Sequence, residues 1–119
     1  MKMDNASKNL AENTIAYFHQ ELGLSYEDIG KTIGVSRQTV NRWRNRNRTP
    51  SRDNYNRLEK MSRLQFLLDE LFELDSREER FLSTPSDDLE GHTPLYMIRE
   101  GDIEPVIELL SNMASGTYQ

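Results

Sequence analysis

Ser25, Gly34 and Ser36 punctuate the middle of the chain so closely that residues 25–43 read as two short helices joined by a tight turn. Ser25 precedes Tyr26-Glu27-Asp28, a side-chain cap followed by acids that complement the positive end of a helix. Ile29 and Ile33 sit four apart, on one face. Gly34 closes this helix, because the left-handed backbone of such a turn costs other residues about 1 kcal/mol. Ser36 caps the next helix, on which Val40 and Trp43 share the inward side. Gly30 supplies a small residue where the two helices approach closely.

Helical spacing continues on both sides. Leu10, Ala11, Thr14, Ile15, Phe18 and Leu22 predict a first helix over residues 7–22, stopped by Gly23. Thr49-Pro50-Ser51 breaks the chain. A long helix is expected over 52–75, roughly 36 Å at 1.5 Å per residue. Its apolar positions are Tyr55, Leu58, Met61, Leu64, Leu67, Leu68, Leu71, Phe72 and Leu74, with Asp75-Ser76 ending it or capping the next element. Short helices follow over 76–83, over 94–100 opened by Thr93-Pro94, and over 103–114 ended near Gly116. No strand pattern appears. The expected fold class is all-α: a helix-turn-helix domain (1–51), a linker or dimerisation helix (52–75) and a small C-terminal helical domain (76–119).

The third helix carries chemistry on its outer face. At 100° per residue, Val40 and Trp43 define the buried direction, and Gln38, Asn41, Arg42 and Asn45 point away from it. Arg can pair with guanine O6 and N7, and Asn or Gln with adenine N6 and N7. Gln38 and Asn41 should reach deepest into a major groove, with Arg37 and Arg42 alongside. Arg44, Arg46 and Arg48 lie towards the flanks and end of the helix and suit phosphates, which position a protein without specifying sequence. Ser36 and Thr39 can donate to phosphate as well. The segment Ile29–Trp43 resembles the helix-turn-helix of the phage-repressor-like (Xre/Cro) DNA-binding family in Gly30, Gly34, Val35, Ser36, Val40 and Trp43. That resemblance implies duplex DNA as a partner.

Charge divides the chain in the same way. Residues 24–57 hold eight Lys/Arg against three acids, and residues 36–52 hold six Arg and no acid. Residues 58–119 hold five Lys/Arg against fourteen acids. The basic stretch suits a polyanion and the acidic stretch should avoid one. The 119 residues contain no cysteine, so disulfides and thiolate metal sites are excluded and a reducing cytoplasm is the expected location. No apolar run approaches the roughly 20 residues of a membrane span. His19 and His92 have no metal-spaced neighbours and read as surface residues; no metal, cofactor or catalytic constellation is expected, and an enzyme is not.

The C-terminal half supplies the remaining signal. Phe81-Leu82, Pro85, Leu89-x-Gly91, Pro94-Leu95, Ile98, Gly101, Val106, Leu109-Leu110, Met113 and Gly116 resemble the toxin-binding domain of Xre/MbcA/ParS-type antitoxins, with Phe81 where that family often has Trp. The resemblance implies an antitoxin of a type II toxin–antitoxin system. Such a protein binds a cognate toxin, commonly of the RES type that consumes NAD, and represses its own operon. By the same analogy the partner surface would lie on Leu95, Tyr96, Arg99, Glu108 and the tail Gly116, Thr117, Tyr118 and Gln119. Met61, Leu64, Leu68 and Leu71 step 3-4-3, a seam of less than two heptads, and read as core packing plus a homodimer contact, which would favour a palindromic operator. The competing reading is a simple repressor whose C-terminal half only dimerises.

Overall fold

The computed structural model describes residues 2–72 and 76–116 and is all-helical there. Seven α-helices run in the order α1 (Lys2–Ala16), α2 (Tyr26–Ile33), α3 (Arg37–Arg44), α4 (Arg52–Phe72), α5 (Ser76–Ser83), α6 (Pro94–Arg99) and α7 (Glu104–Ser115). Among the described residues no helix is long and apolar enough to cross a membrane. Two compact units are formed, residues 1–62 and 63–119. The long helix α4 does not stand apart as a linker: its first half belongs to one unit and its second half to the other.

In the N-terminal unit, α1 begins earlier than its first apolar residue suggests, because a polar first turn leaves no periodic signal. It passes directly into a π-helical turn, Tyr17–Glu21, which ends before Gly23 (φ 73°). Phe18 and Leu24 are fully buried on either side of that glycine. The α2 start is a complete capping box. The Ser25 hydroxyl accepts from the Asp28 amide at 3.0 Å, and Asp28 accepts from the Ser25 amide at 3.4 Å. Gly34 ends α2 in a left-handed conformation (φ 89°). Arg57, from α4, donates to the last carbonyl of α2, Ile33 O, at 2.6 Å. The core is Ala11, Ile15, Phe18, Leu24, Ile29, Ile33, Val40, Trp43, Leu58 and Met61, all at most 1% exposed. The Trp43 indole N–H meets no acceptor among the described residues, so this residue contributes bulk and no hydrogen bond.

The C-terminal unit packs Leu64, Leu67, Leu68, Phe72, Leu82, Leu89, Ile98, Ile103, Val106, Ile107, Leu109 and Leu110. Phe72 and Phe81 meet with ring centroids 5.3 Å apart. Thr93 caps α6, accepting from the Tyr96 amide at 3.0 Å with Pro94 in the first turn, as the sequence predicts. A 3₁₀ turn at Asp87–Leu89, capped by Ser86 and closed by Glu90 in a left-handed conformation, is not foreseen by periodicity. It buries Leu89. Leu74 and Asp75, expected on α4 or at its end, lie outside the described residues.

Met61, Leu64 and Leu68 are fully buried within the chain and Leu71 is half-buried, so within one chain the 3-4-3 stripe packs as core. A stripe three and four apart is what any core-facing helix shows, and too few repeats were present to separate the two cases.

Candidate nucleic-acid and partner interfaces

The outer face of α3 is presented as the helical wheel predicts. Arg37, Gln38, Asn41, Arg42 and Asn45 are exposed, while Val40 and Trp43 on the opposite side are buried. The helix ends at Arg44, so Asn45 is its cap and not part of its last turn. Ser36 starts the helix by accepting from the Thr39 amide at 3.2 Å, and the Ser36 and Thr39 hydroxyls lie 3.2 Å apart. Ser36 thus holds the start of α3 in place first, and its oxygen is committed to the cap.

Tyr26 is a residue of this face that sequence reasoning missed. Together with Arg37, Gln38 and Asn41 it lines a recess of about 300 Å³. Tyr26 opens α2 and Arg37 opens α3, and two helix starts converging leave their first side chains adjacent. His19 lies against the Tyr26 ring at 4.6 Å and is itself fixed by a 2.8 Å hydrogen bond between Nδ1 and Leu24 O. His19 is therefore a satisfied surface residue. Among the described residues no cluster of His, Cys, Asp or Glu is arranged to hold a metal.

The flanking arginines divide. Arg48 is exposed. Arg46 adopts a left-handed backbone (φ 62°), and its Nη1 donates to Asn9 Oδ1 at 2.7 Å and approaches Glu12 Oε1 to 3.1 Å. Arg44 Nη1 lies 3.6 Å from Glu12 Oε2. Two of the three arginines expected on phosphates thus share one carboxylate of α1.

In the C-terminal unit, Tyr96 is one of two large hydrophobic side chains left exposed among the described residues, at 47%, and stacks on His92 at 4.5 Å. Leu95 is half-buried, and Arg99, Glu108 and Gly116 are exposed. Thr117, Tyr118 and Gln119 lie outside the described residues. The predicted set is not gathered into one concavity. Glu108 lines a small recess of about 140 Å³ with Asp88, Pro105, Leu109 and Asn112. A larger groove of about 560 Å³ runs between α5, the Ser86 turn, α6 and α7. Its floor is Phe81, Pro85, Pro94, Leu109 and Met113, and its polar rim is Arg77, Arg80, Thr84, Ser86 and Asp87. None of the described residues of the predicted partner set lines it. The signal that could have found it is the pair Arg77 and Arg80, two of only five cations in residues 58–119, beside Phe81.

Residues 13–54 match the family model of a homeodomain-like domain, and residues 67–116 match the Xre/MbcA/ParS antitoxin C-terminal toxin-binding domain. The mycobacterial cidal antitoxin MbcA of Mycobacterium tuberculosis and that of Mycobacterium bovis are each 30% identical over 112 residues, which cover 92% of this chain and 96% of theirs. The structure is similar to that of a chain in the crystal structure of the M. tuberculosis MbcT–MbcA toxin–antitoxin complex. The TM-score is 0.59 at 27% identity, covering 91% of this chain and 96% of that one. A helix-turn-helix followed in order by a matched antitoxin domain, with similarity running through both, makes this chain a member of the Xre/MbcA/ParS antitoxin family and not an enzyme.

Proposed function

We propose that this chain neutralises a cognate protein toxin by direct binding through residues 63–119, represses its own operon through α3, and acts as a homodimer on a palindromic site. The observation that carries the first part is a coincidence of position. The 560 Å³ groove lies wholly within the residues that match the toxin-binding domain. An apolar floor with Arg80 on its polar rim suits a partner segment that carries apolar side chains beside a carboxylate. The relative MbcA is found in a complex with the toxin MbcT, which supports a toxin partner here. The toxin is of the RES class, the NAD-consuming type that the family resemblance implies.

For the second part, the support is the exposed row Arg37, Gln38, Asn41 and Arg42 on a helix held by its Ser36 cap. These side chains offer the donors and acceptors that distinguish base pairs in a major groove. The acidic balance of residues 58–119 keeps that half away from the phosphates.

The test is to express the product of the gene beside this one, alone and together with this chain, counting viable cells and pulling on a tag. The neighbour is expected to be toxic alone, harmless in the pair and co-purified. Arg80→Glu, on the groove rim, is expected to abolish capture; Tyr96→Ala, outside the groove, is expected to retain it. The reverse pattern would move the toxin surface to α6. A harmless neighbour that never co-purifies would leave a simple repressor whose C-terminal half only dimerises.

A further inference from the structure

Among the described residues, Glu12 is the acid placed against the arginines at the end of α3. Its two carboxylate oxygens face two guanidiniums, Arg46 at 3.1 Å and Arg44 at 3.6 Å, and Asn9 Oδ1 takes a further hydrogen bond from Arg46 at 2.7 Å. Asn9 and Glu12 are three apart on α1 and so share a face. From the arginines' side, a carboxylate and an amide oxygen occupy the positions that phosphate oxygens would take. We propose that Glu12 is an internal competitor for DNA phosphate, setting the sequence-independent part of DNA affinity below what the basic stretch would otherwise give. The inference rests on the DNA-binding reading of α3.

The physical case has three parts. The side chains involved are 29–38% exposed, so water reaches the contact and the arginines can exchange one anion for another. A duplex docked on α3 must then either displace Glu12 or accept two half-neutralised arginines with a carboxylate near its backbone. Displacing Glu12 costs the ion pair and lowers affinity; leaving it in place neutralises fewer phosphates, so fewer counterions are released and the affinity is also less salt-dependent. Base reading is spared, because Gln38, Asn41 and Arg42 do not touch Glu12 in this structure and phosphates are alike in every sequence. The consequence is a protein that holds arbitrary DNA weakly and relies on base contacts to stay bound.

The probe is a mixed-sequence duplex of about two turns (~20 bp) that contains no operator. The full chain and its Glu12→Gln variant are titrated onto it by fluorescence anisotropy between about 50 and 200 mM salt. Glu12→Gln is expected to bind several-fold tighter at low salt, with a log–log slope steeper by about 0.9 for each arginine released to a phosphate. Asn9→Asp, which adds a second carboxylate beside Arg46, is expected to shift both quantities the opposite way. Thermal unfolding of each variant checks that the fold is kept, and Asn9→Asp keeps the comparison open should Glu12→Gln unfold. A Glu12→Gln protein that is folded and binds no tighter than the parent, or with a shallower slope, overturns the proposal: Glu12 would then hold the arginines ready for phosphate, or only tie α1 to α3. If the parent chain itself shows no salt-dependent affinity for the duplex, the DNA-binding reading falls, and this inference with it.

Discussion

Arg42 and Arg46 are four residues apart, carry the same charge and meet different fates. Arg42 lies on the exposed side of a regular helix, where nothing competes for its fork of donors. Arg46 follows the end of that helix in a left-handed conformation and is drawn onto Asn9 and Glu12. Stepping 100° per residue finds the first and cannot find the second, since the rotation rule ends at Arg44. The contact with α1 also joins residues 34 apart in sequence, which no local spacing reveals. The two positions should therefore respond differently. Arg42→Ala is expected to relax base preference at a single position and to cost about 1–3 kcal/mol on the preferred site. Selection of bound duplexes from a randomised pool measures both. A variant that keeps the parent's preference would remove Arg42 from the reading face.

The turn between α2 and α3 shows an element whose purpose was legible but whose contact was not. The sequence marks Gly30 as the small residue of a close helix approach. The structure gives a more local reason: a Cβ at Gly30 would lie 2.5 Å from the carbonyl oxygen of Val35, in the turn itself. The amides of Gly34 and Val35 both point back at Gly30 O, at 2.6 and 3.0 Å, so the turn is wrapped against the glycine's own backbone. A methyl group there forces the turn outward and shifts the start of α3. Gly30→Ala is expected to destabilise the protein by about 1–3 kcal/mol, the usual effect of overpacking. In urea the midpoint should fall while the slope stays constant, the mark of a change in stability and not in the surface exposed. Gly23→Ala is the matched comparison: its left-handed φ of 73° strains any side chain, yet nothing lies within 4 Å of its Cβ. Its smaller cost, about 1 kcal/mol, is strain alone. Elsewhere the start of α6 follows from its Thr93-Pro94 cap, and the end of α7 from Gly116 in a left-handed conformation. The 3₁₀ turn at Asp87–Leu89 escapes because three residues carry no period. The groove beside it escapes for a related reason: its lining comes from four separate segments.

For the whole molecule, a two-fold dimer needs a surface beyond Met61, Leu64 and Leu68, which are buried within the chain. The exposed side of α4 offers another. Phe66 is 56% exposed, and Arg63, Asp69 and Glu70 around it are exposed too, with Ser62 half-buried. At 100° and 1.5 Å per residue, Arg63 and Glu70 lie on the same side of Phe66 and on opposite ends of it. Two copies of the helix packed antiparallel about a two-fold axis at Phe66 would bring each Arg63 to Glu70 of the second copy, and each Ser62 to Asp69. The surface is self-complementary in the sense an isologous contact requires. One exposed aromatic is common on monomers, so the charges are the discriminating test. Arg63→Glu places six acids around the axis, three from each copy, and is expected to shift the chain to monomer in sedimentation equilibrium. The double exchange Arg63→Glu with Glu70→Arg restores the complementary pattern and is expected to restore the dimer, which a merely destabilising substitution would not. Dimers that persist unchanged in Arg63→Glu would show that protomers meet elsewhere. Monomers from both variants and from the parent would make each chain read a single half-site, and the operator would then not need to be palindromic.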